Sequence, residues 1–502
     1  MIKYLTLSLL LLCIFCCKKD GAYDWSKHIV IDSTTLIGYN QLRIKVSIHN
    51  LADSQVLEAG VCWDHVREDP TKYSQFITFA DRTDMDTLIT GLLQGRPIYF
   101  RAFVTTKKGT IYSQVVIVNT RSITKLWEED HPTQIQHIKQ IEQVPGLGFY
   151  ILAQDSATDK RWPELLLLNY QGDLIWHKHY YRDQAHTTPD YLMALPDGLL
   201  VATTHHTPTG DKTFLMKTQA DVDPIWDKAF TQLYHNEFVR LRPGPNNTII
   251  LTTKSWDKPI AGVDTKYFLV DHHIDMNGDH TQPNTIVPLD PIFARANLTG
   301  TTDVGSNGFV AVTHMPTDIN DAGSPSDIFL HRFDNNMMVS QQKFGGIKPD
   351  APVSIITSTA GNPVVLGYSQ SKGAIAQSAW LFELDAASGN PHWEFLYQNS
   401  FFGFPSRMYP LGLQPVKTGG YLIAGNIGMS RYSAFTDGFF AFIDGNGQLR
   451  WDCFIEHDNN QDLYIDYPKD VFEINGMLYV IGTLNGYDDD DVSTLYMIQY
   501  KP

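Results

Sequence analysis

One pattern constrains this chain more than any other. From residue 134 onward a hydrophobic strand, a tight turn and a second strand recur seven times. The second strands are residues 149–153, 199–203, 248–252, 308–312, 363–367, 421–425 and 478–482. A third strand follows each, at 165–168, 213–216, 267–270, 328–331, 380–383, 439–442 and 494–497. Six copies add a turn and a fourth strand, marked by Trp176, Trp226, Gln282, Ser340, Trp393 and Trp451, which lie 50 to 58 residues apart. A lone four-stranded unit cannot bury both of its faces, whereas copies packed side by side around an axis can. Four strands at this period therefore predict a seven-bladed β-propeller, and no helical periodicity competes.

The seventh copy ends at Pro502, before any fourth strand. Trp127 stands 49 residues before Trp176, one blade period upstream. Residues 122–133 are thus expected to supply the outer strand of the last blade, so that the ring closes without an exposed sheet edge.

Between residues 27 and 121 short alternating strands with turn residues between them predict a separate β-sandwich. Residues 42–48 alternate cleanly, and 57–63 end on an aromatic, Trp63. Leu92, a turn, Tyr99-Phe-Arg-Ala102 and the Gly109 turn resemble the corresponding region of fibronectin type III-like domains. The resemblance implies an immunoglobulin-like sandwich that spaces or binds, with a Tyr99 hydroxyl bonded back to the preceding turn. The whole chain is expected to be all-β.

The first residues carry a different message. Lys3 precedes a mostly apolar run from Leu5 to Phe15, the length of a signal-peptide core and too short to span a bilayer. The run ends in Ile14-Phe15-Cys16-Cys17 before Lys18-Lys19-Asp20. This resembles the lipobox of bacterial lipoproteins, which implies cleavage after residue 16, lipidation of Cys17 and stable membrane anchoring by several acyl chains. Residues 18–26 then read as a tether. Lipobox, fibronectin-like module and propeller together resemble exported lipoproteins of Bacteroidota-type bacteria, implying an outer-membrane lipoprotein on the periplasmic side or the cell surface. Beyond Cys17 only Cys62 and Cys453 remain, in different domains, so no disulfide framework is expected. A net charge of −16 over 502 residues argues against nucleic acid as partner.

The Gly turns followed by Trp at Gly172/Trp176, Gly389/Trp393 and Gly447/Trp451 resemble the repeat of quinoprotein-like propellers. There the Trp packs between neighbouring blades, a structural role. Quinone-dependent members have eight blades and, in one branch, a vicinal disulfide. Seven copies and no vicinal Cys pair beyond Cys17 give no expectation of that cofactor.

Turns between first and second strands, and between third and fourth, are tight and rich in Asn-Gly and Asp-Gly, which supply the positive φ of short hairpins. Because successive hairpins turn at alternate ends, these two sets are expected on opposite faces. The loops between second and third strands are long: 154–164, 205–212, 254–266, 314–327, 368–379, 426–438 and 485–492. Long loops on a rigid scaffold carry function, so the face bearing them is the candidate site. On it Trp162, Trp256 and Tyr432 offer flat surfaces for a sugar or a partner's apolar patch, with His205 nearby. Asp488, Asp489, Asp490 and Asp491 could bind Ca²⁺ through hard oxygen ligands, although a run of four adjacent carboxylates is more often a solvated loop. His177, His179, His186 and the His205-His206 pair could ligate a metal, but adjacent side chains on a strand point to opposite faces and no third or fourth ligand stands at a recognised spacing. There is no G-x-S-x-G elbow and no H-E-x-x-H. Two functions follow. The first is a lipid-anchored binding or scaffold protein presenting the loop face to a protein or glycan, without a cofactor. The second is a carbohydrate- or lactone-active hydrolase or lyase at the axial end of that face.

Overall fold

The structure, a computed structural model, describes residues 29–502 apart from 37–41, 50–55, 65–66, 80–84, 90–91, 93–96, 121–122, 134, 156–161, 181–185, 220–222, 259–264, 291–292, 295, 306–307, 317–325, 373–375, 399, 402–403, 430–431, 456, 458–463 and 487–492. The lipobox with Cys17, the tether, the turn preceding Tyr99 and Asp488, Asp489, Asp490 and Asp491 lie outside the described residues. The chain divides into two compact units, Met1–Ser122 and Ile123–Pro502.

The first unit is a two-sheet sandwich. Strands Ile29–Leu36, Leu42–Ile48 and Asp86–Ile89 form one sheet. Gln75–Thr78, Val56–Asp64, Pro97–Thr106, Gly109–Tyr112 and Val116–Asn119 form the other. Alternation does what the pattern predicts: Leu42, Ile44 and Val46 are buried while Arg43 and Lys45 face solvent. They meet Val61, Ile98 and Phe100 in one apolar core, each fully buried side chain contributing about 1.5–3 kcal/mol.

The second unit is the propeller. Its seven innermost strands are Ile135–Val144, His186–Leu195, His235–Pro243, Asn297–Val304, Asp350–Thr357, Phe404–Pro415 and Tyr464–Ile474, and they open blades 1 to 7 in that order. Blades 1 to 5 are each four antiparallel strands in sequence order. Blade 6 continues outward through Tyr421–Met429, Tyr432–Ile443 and Leu449–Phe454. Blade 7 runs Tyr464–Ile474, Met477–Gly486, Ser493–Lys501 and then Thr124–Thr133 from the other end of the propeller sequence. Nine residue pairs, from Ser493 with Thr133 to Lys501 with Thr124, make this closing ladder. The ring therefore has seven blades and is closed by its N-terminal strand.

Apolar clusters bridge neighbouring blades. Ile141, Phe149, Ile151 and Leu166 of blade 1 pack on Phe472, Tyr479, Ile481 and Leu495 of blade 7. Val364 and Leu366 of blade 5 meet Met408, Ile423 and Phe439 of blade 6 in the same way.

The register corrects one expectation. In blade 1 the first–second turn closes at Val144/Gly148 and the third–fourth turn at Leu168/Leu174, while Phe149 pairs with Leu168. Both sets of tight turns therefore lie at the same end of the blade. The second–third loop intervenes, and two reversals return the chain to the end it left. The second–third connections and the between-blade connections share the other end, where the innermost strands begin. Two of the expected long loops, 205–212 and 426–438, are instead largely strand, since blade 2 pairs on to Thr207/Gly210 and the blade 6 strands reach Met429 and Tyr432.

Candidate functional site

Each innermost strand carries one extra residue at nearly the same height. Pairing with the second strand slips between Ile138/Gln140, Pro189/Tyr191, Phe238/Arg240, Leu298/Gly300, Pro352/Ser354, Pro410/Gly412 and Pro468/Asp470. The bulged residues are Lys139, Asp190, Val239, Thr299, Val353, Leu411 and Lys469, one per blade. All seven line a central channel of about 1430 Å³ bounded by every innermost strand. A bulge bends the strand and re-aims a side chain, so this ring sets the chemistry of the axis.

The ring is lopsided. Lys469, Lys139 and Asp190 are consecutive on blades 7, 1 and 2, while the other four positions are uncharged. Asp190 keeps some solvent contact at the channel wall but is otherwise surrounded by protein. Burial pushes its carboxyl up to about 6, against a 2.6 Å hydrogen bond from Thr204 Oγ1 and the nearby Lys139 charge. Asp470, next to the blade 7 bulge, is likewise raised to about 6 by burial, against a 2.6 Å bond from Gln414 Nε2. Burial lowers the neighbouring Lys469 ammonium, and its Nζ donates to the Leu411 carbonyl at 3.2 Å.

On blades 2 and 3 the loop-rich end of the channel gathers further ionisable groups. Asp211 Oδ1 accepts from His206 Nδ1 at 2.8 Å and its Oδ2 meets His235 Nδ1 at 2.7 Å. One carboxylate thus fixes two imidazoles from adjacent blades. The Asp211 hydrogen bond raises the His206 pKa despite burial, helped by the charges of Asp211, Asp190 and Glu237. Trp256 lies flat on the His235 ring, 4.7 Å away at 9°. Lys254 Nζ stands 5.3 Å from the Trp256 ring and pairs with Glu237 at 2.7 Å. Asp190, His206, Glu237 and Lys254 all line the channel. Such a mouth can hydrogen-bond a polar ligand from several sides and stack against one of its faces.

Of the residues singled out from sequence, Trp256 is in this cluster. His205 is 4 % exposed and its ring packs 5.7 Å from Phe214; its neighbour His206 is the one on the channel. Trp162 is half-buried at the loop-rich end of blade 1, two residues before Glu164. The backbone at Tyr432 opens the third strand of blade 6, and its side chain lies outside the described residues.

His177, His179 and His186 separate. His186 belongs to blade 2, with its ring 5.3 Å from His206. His177 and His179, two apart on one strand, share a face in blade 1 and meet Glu164 from the adjacent strand.

Asp190, Asp211, His235, Glu237 and Lys254 were not singled out from sequence, and His206 was named only with His205 as a possible metal ligand, not as a channel residue. A signal for the bulges was present: Pro189, Pro352, Pro410 and Pro468 each immediately precede one, and proline inside a strand marks a bulge or an edge.

No family model matches the chain, and no curated protein matches it. Among solved structures, it is similar to a protein of unknown function from Dyadobacter fermentans at 10% identity and TM-score 0.37, covering 63% of this chain and 94% of that one. It is also similar to Drosophila Semaphorin 2a at 8% identity and TM-score 0.41, covering 76% of each chain. The polysaccharide lyase Uly1 is similar at 9% identity and TM-score 0.42, covering 74% of this chain and 91% of that one. The fold rests on the strand order and closing ladder rather than on these similarities.

Proposed function

We propose that this chain is a lipid-anchored envelope protein that binds a protein or glycan at the loop-rich mouth of its propeller. In this reading Cys17 carries the acyl chains, the tether and fibronectin-like sandwich act as spacer, and the protein sits in the outer membrane. The observation that carries the binding role is the Trp256–His235 stack beside the Glu237–Lys254 pair and the Asp211 clamp. A flat aromatic face flanked by hydrogen-bonding groups suits a polyhydroxylated ring or a partner's polar loop. Glycan arrays and pull-downs with the wild type and Trp256→Ala test it. A ligand retained by the wild type and lost by the folded variant supports the role; no ligand in either assay counts against it. Fatty-acid labelling that survives in Cys17→Ala would remove the anchor.

A second reading, a carbohydrate- or lactone-active hydrolase or lyase, is favoured by Asp190 and His206 lining one channel. A carboxyl held near 6 is suited to proton transfer at neutral pH. Product formation from polyuronate, neutral glycan or lactone substrates, abolished in Asp190→Asn, would establish it. Turnover unchanged by that substitution would exclude this site.

A further inference from the structure

We infer that blade 1 carries a binding site for a divalent transition-metal ion of the zinc class, formed by Glu164, His177 and His179. The local sequence builds it. Glu164 stands near the start of the third strand and pairs across the ladder with His179 on the fourth, while His177 pairs with Leu166. Residues two apart on a strand point the same way, so both imidazoles fall on the face that Glu164 occupies. Their rings lie 4.5 Å apart at 39°.

The three donor atoms converge. His177 Nε2 is 2.9 Å from Glu164 Oε2 and His179 Nδ1 is 2.8 Å from Oε1, all three ligand groups lying within 4.8 Å of one another. Among the described residues this is the one such group of three. The Glu164 side chain is 0% exposed, whereas the imidazoles keep 24% and 31%.

Two features distinguish this from an ordinary buried ion pair. A carboxylate stripped of water needs hydrogen bonds at both oxygens, yet among the described residues none donates to Glu164 Oε1. Its close approach to His179 is thus not aligned as a hydrogen bond. Lone pairs of Glu164 and the two imidazoles directed at a common point would resolve that, with a metal about 2.0–2.2 Å from each ligand. The partly exposed imidazoles leave one side open to water, and two His plus one carboxylate with an open position is a ligand set used by zinc and by ferrous iron. Imidazole and carboxylate donors without thiolate disfavour copper(I).

Cobalt(II) is the probe, because its visible absorption reports coordination by the protein. Metal-free protein titrated with Co²⁺ at pH 7.5 should bind one equivalent, displaced by Zn²⁺. His177→Ala and His179→Ala should each weaken binding tenfold or more, while His392→Ala, an exposed control on blade 5, should leave it unchanged. No stoichiometric Co²⁺ spectrum, or equal binding in both His variants and the wild type, would overturn the site. Should the variants fail to fold, Zn²⁺ protection of His177 and His179 in the wild type against an imidazole-acylating reagent decides it. Protection of both supports the site, and modification at the metal-free rate refutes it.

Discussion

The two faces of the propeller are built by different rules. On the turn face the same parts recur. Asn169, Asp275, Asp385 and Asp444 each open a third–fourth turn by accepting two backbone N–H groups, as in the 2.9 Å bonds from Gln171 and Asp173 to Asn169. A glycine at positive φ then lies against the outer-strand side chain of the preceding blade. A Cβ on Gly172 would meet the Trp127 ring at 2.9 Å, one on Gly278 the Trp226 ring at 3.0 Å, and one on Gly447 the Trp393 ring at 2.5 Å. Trp226 adds a 2.9 Å hydrogen bond from Nε1 to the Met276 carbonyl. The Gly-to-Trp motif is therefore an inter-blade latch. On the loop face the described groups differ from blade to blade: Glu164 with two His on blade 1, Asp211 between His206 and His235 on blades 2 and 3, and His457 between Glu128 and Asp466 beside blade 7. The repeated face joins neighbouring blades with the same few parts, whereas the described groups on the other face are particular to their blades.

The largest effect should come from removing the closing strand. Without residues 124–133, blade 7 loses its nine-pair outer ladder and exposes an unpaired edge. The propeller is expected to lose its cooperative thermal transition, whereas deletion of residues 29–119 should leave that transition within a few degrees of the full chain. Similar behaviour of the two deletions in calorimetry would make Trp127 part of a linker after all.

Next comes the latch itself. Gly447 sits at φ +76° with the Trp393 ring where a Cβ would go, so Gly447→Ala combines backbone strain with overpacking, together about 2–4 kcal/mol. Gly476, also at positive φ but with nothing within 4 Å, should lose only about 1 kcal/mol on the same change. Denaturant midpoints separate the two, and equal losses would show that the Trp contact adds nothing.

How much of this was legible in the chain follows the same division. The turn face could be read because its signals are local: Gly447 four residues before Trp451 is visible without knowing what lies beside it. Closure could be read because Trp127 falls one period early. Two details escaped. Gln282, at the expected fourth-strand position, precedes the actual strand Thr285–Pro288, since after the usual turn and a single Ile274–His280 bridge blade 3 leaves the ladder before pairing resumes. Blade 4 has Ser340 at the ladder position that Trp176, Trp226, Trp393 and Trp451 hold in theirs, but it is Gln342, two residues on, that Gly389 of blade 5 lies against. The loop face was illegible because its groups meet only after folding. His206 and His235 come from different blades, and Glu164 reaches His177 and His179 across a ladder whose register no single sequence states.

The closing strand is also held from the loop side. His457 Nδ1 meets Glu128 Oε1 on that strand at 2.5 Å and its Nε2 meets Asp466 Oδ2 at 3.3 Å. Burial alone would lower its pKa, but the two hydrogen bonds and carboxylate charges raise it to about 9. A folded-state pKa above the unfolded value near 6.5 means that stabilisation is full below about pH 6.5 and is lost as pH rises through 9. His457→Gln should therefore destabilise the propeller on the order of 2–3 kcal/mol at pH 6 and much less at pH 9.5. A gap between variant and wild type that stays constant across that window would show that His457 acts by packing, not charge.

The smallest stability effect should fall on the residue with the greatest proposed effect on binding. Trp256 stacks on His235 and contacts Tyr267 at 5.7 Å, but it closes no inter-blade latch and stands at the end of its strand. Trp256→Ala should thus cost no more than about 1 kcal/mol while abolishing ligand capture at the channel mouth. Trp393→Ala should do the reverse, because its ring fills the space beside Gly447 on the far face. The pair is a direct test of the division of labour between the faces, read by denaturation and by glycan or partner binding on the same samples. If Trp256→Ala proves as damaging to stability as Trp393→Ala, the loop-face aromatics are packing elements too. The ligand would then have to be sought deeper in the channel, along the charged arc of Lys469, Lys139 and Asp190.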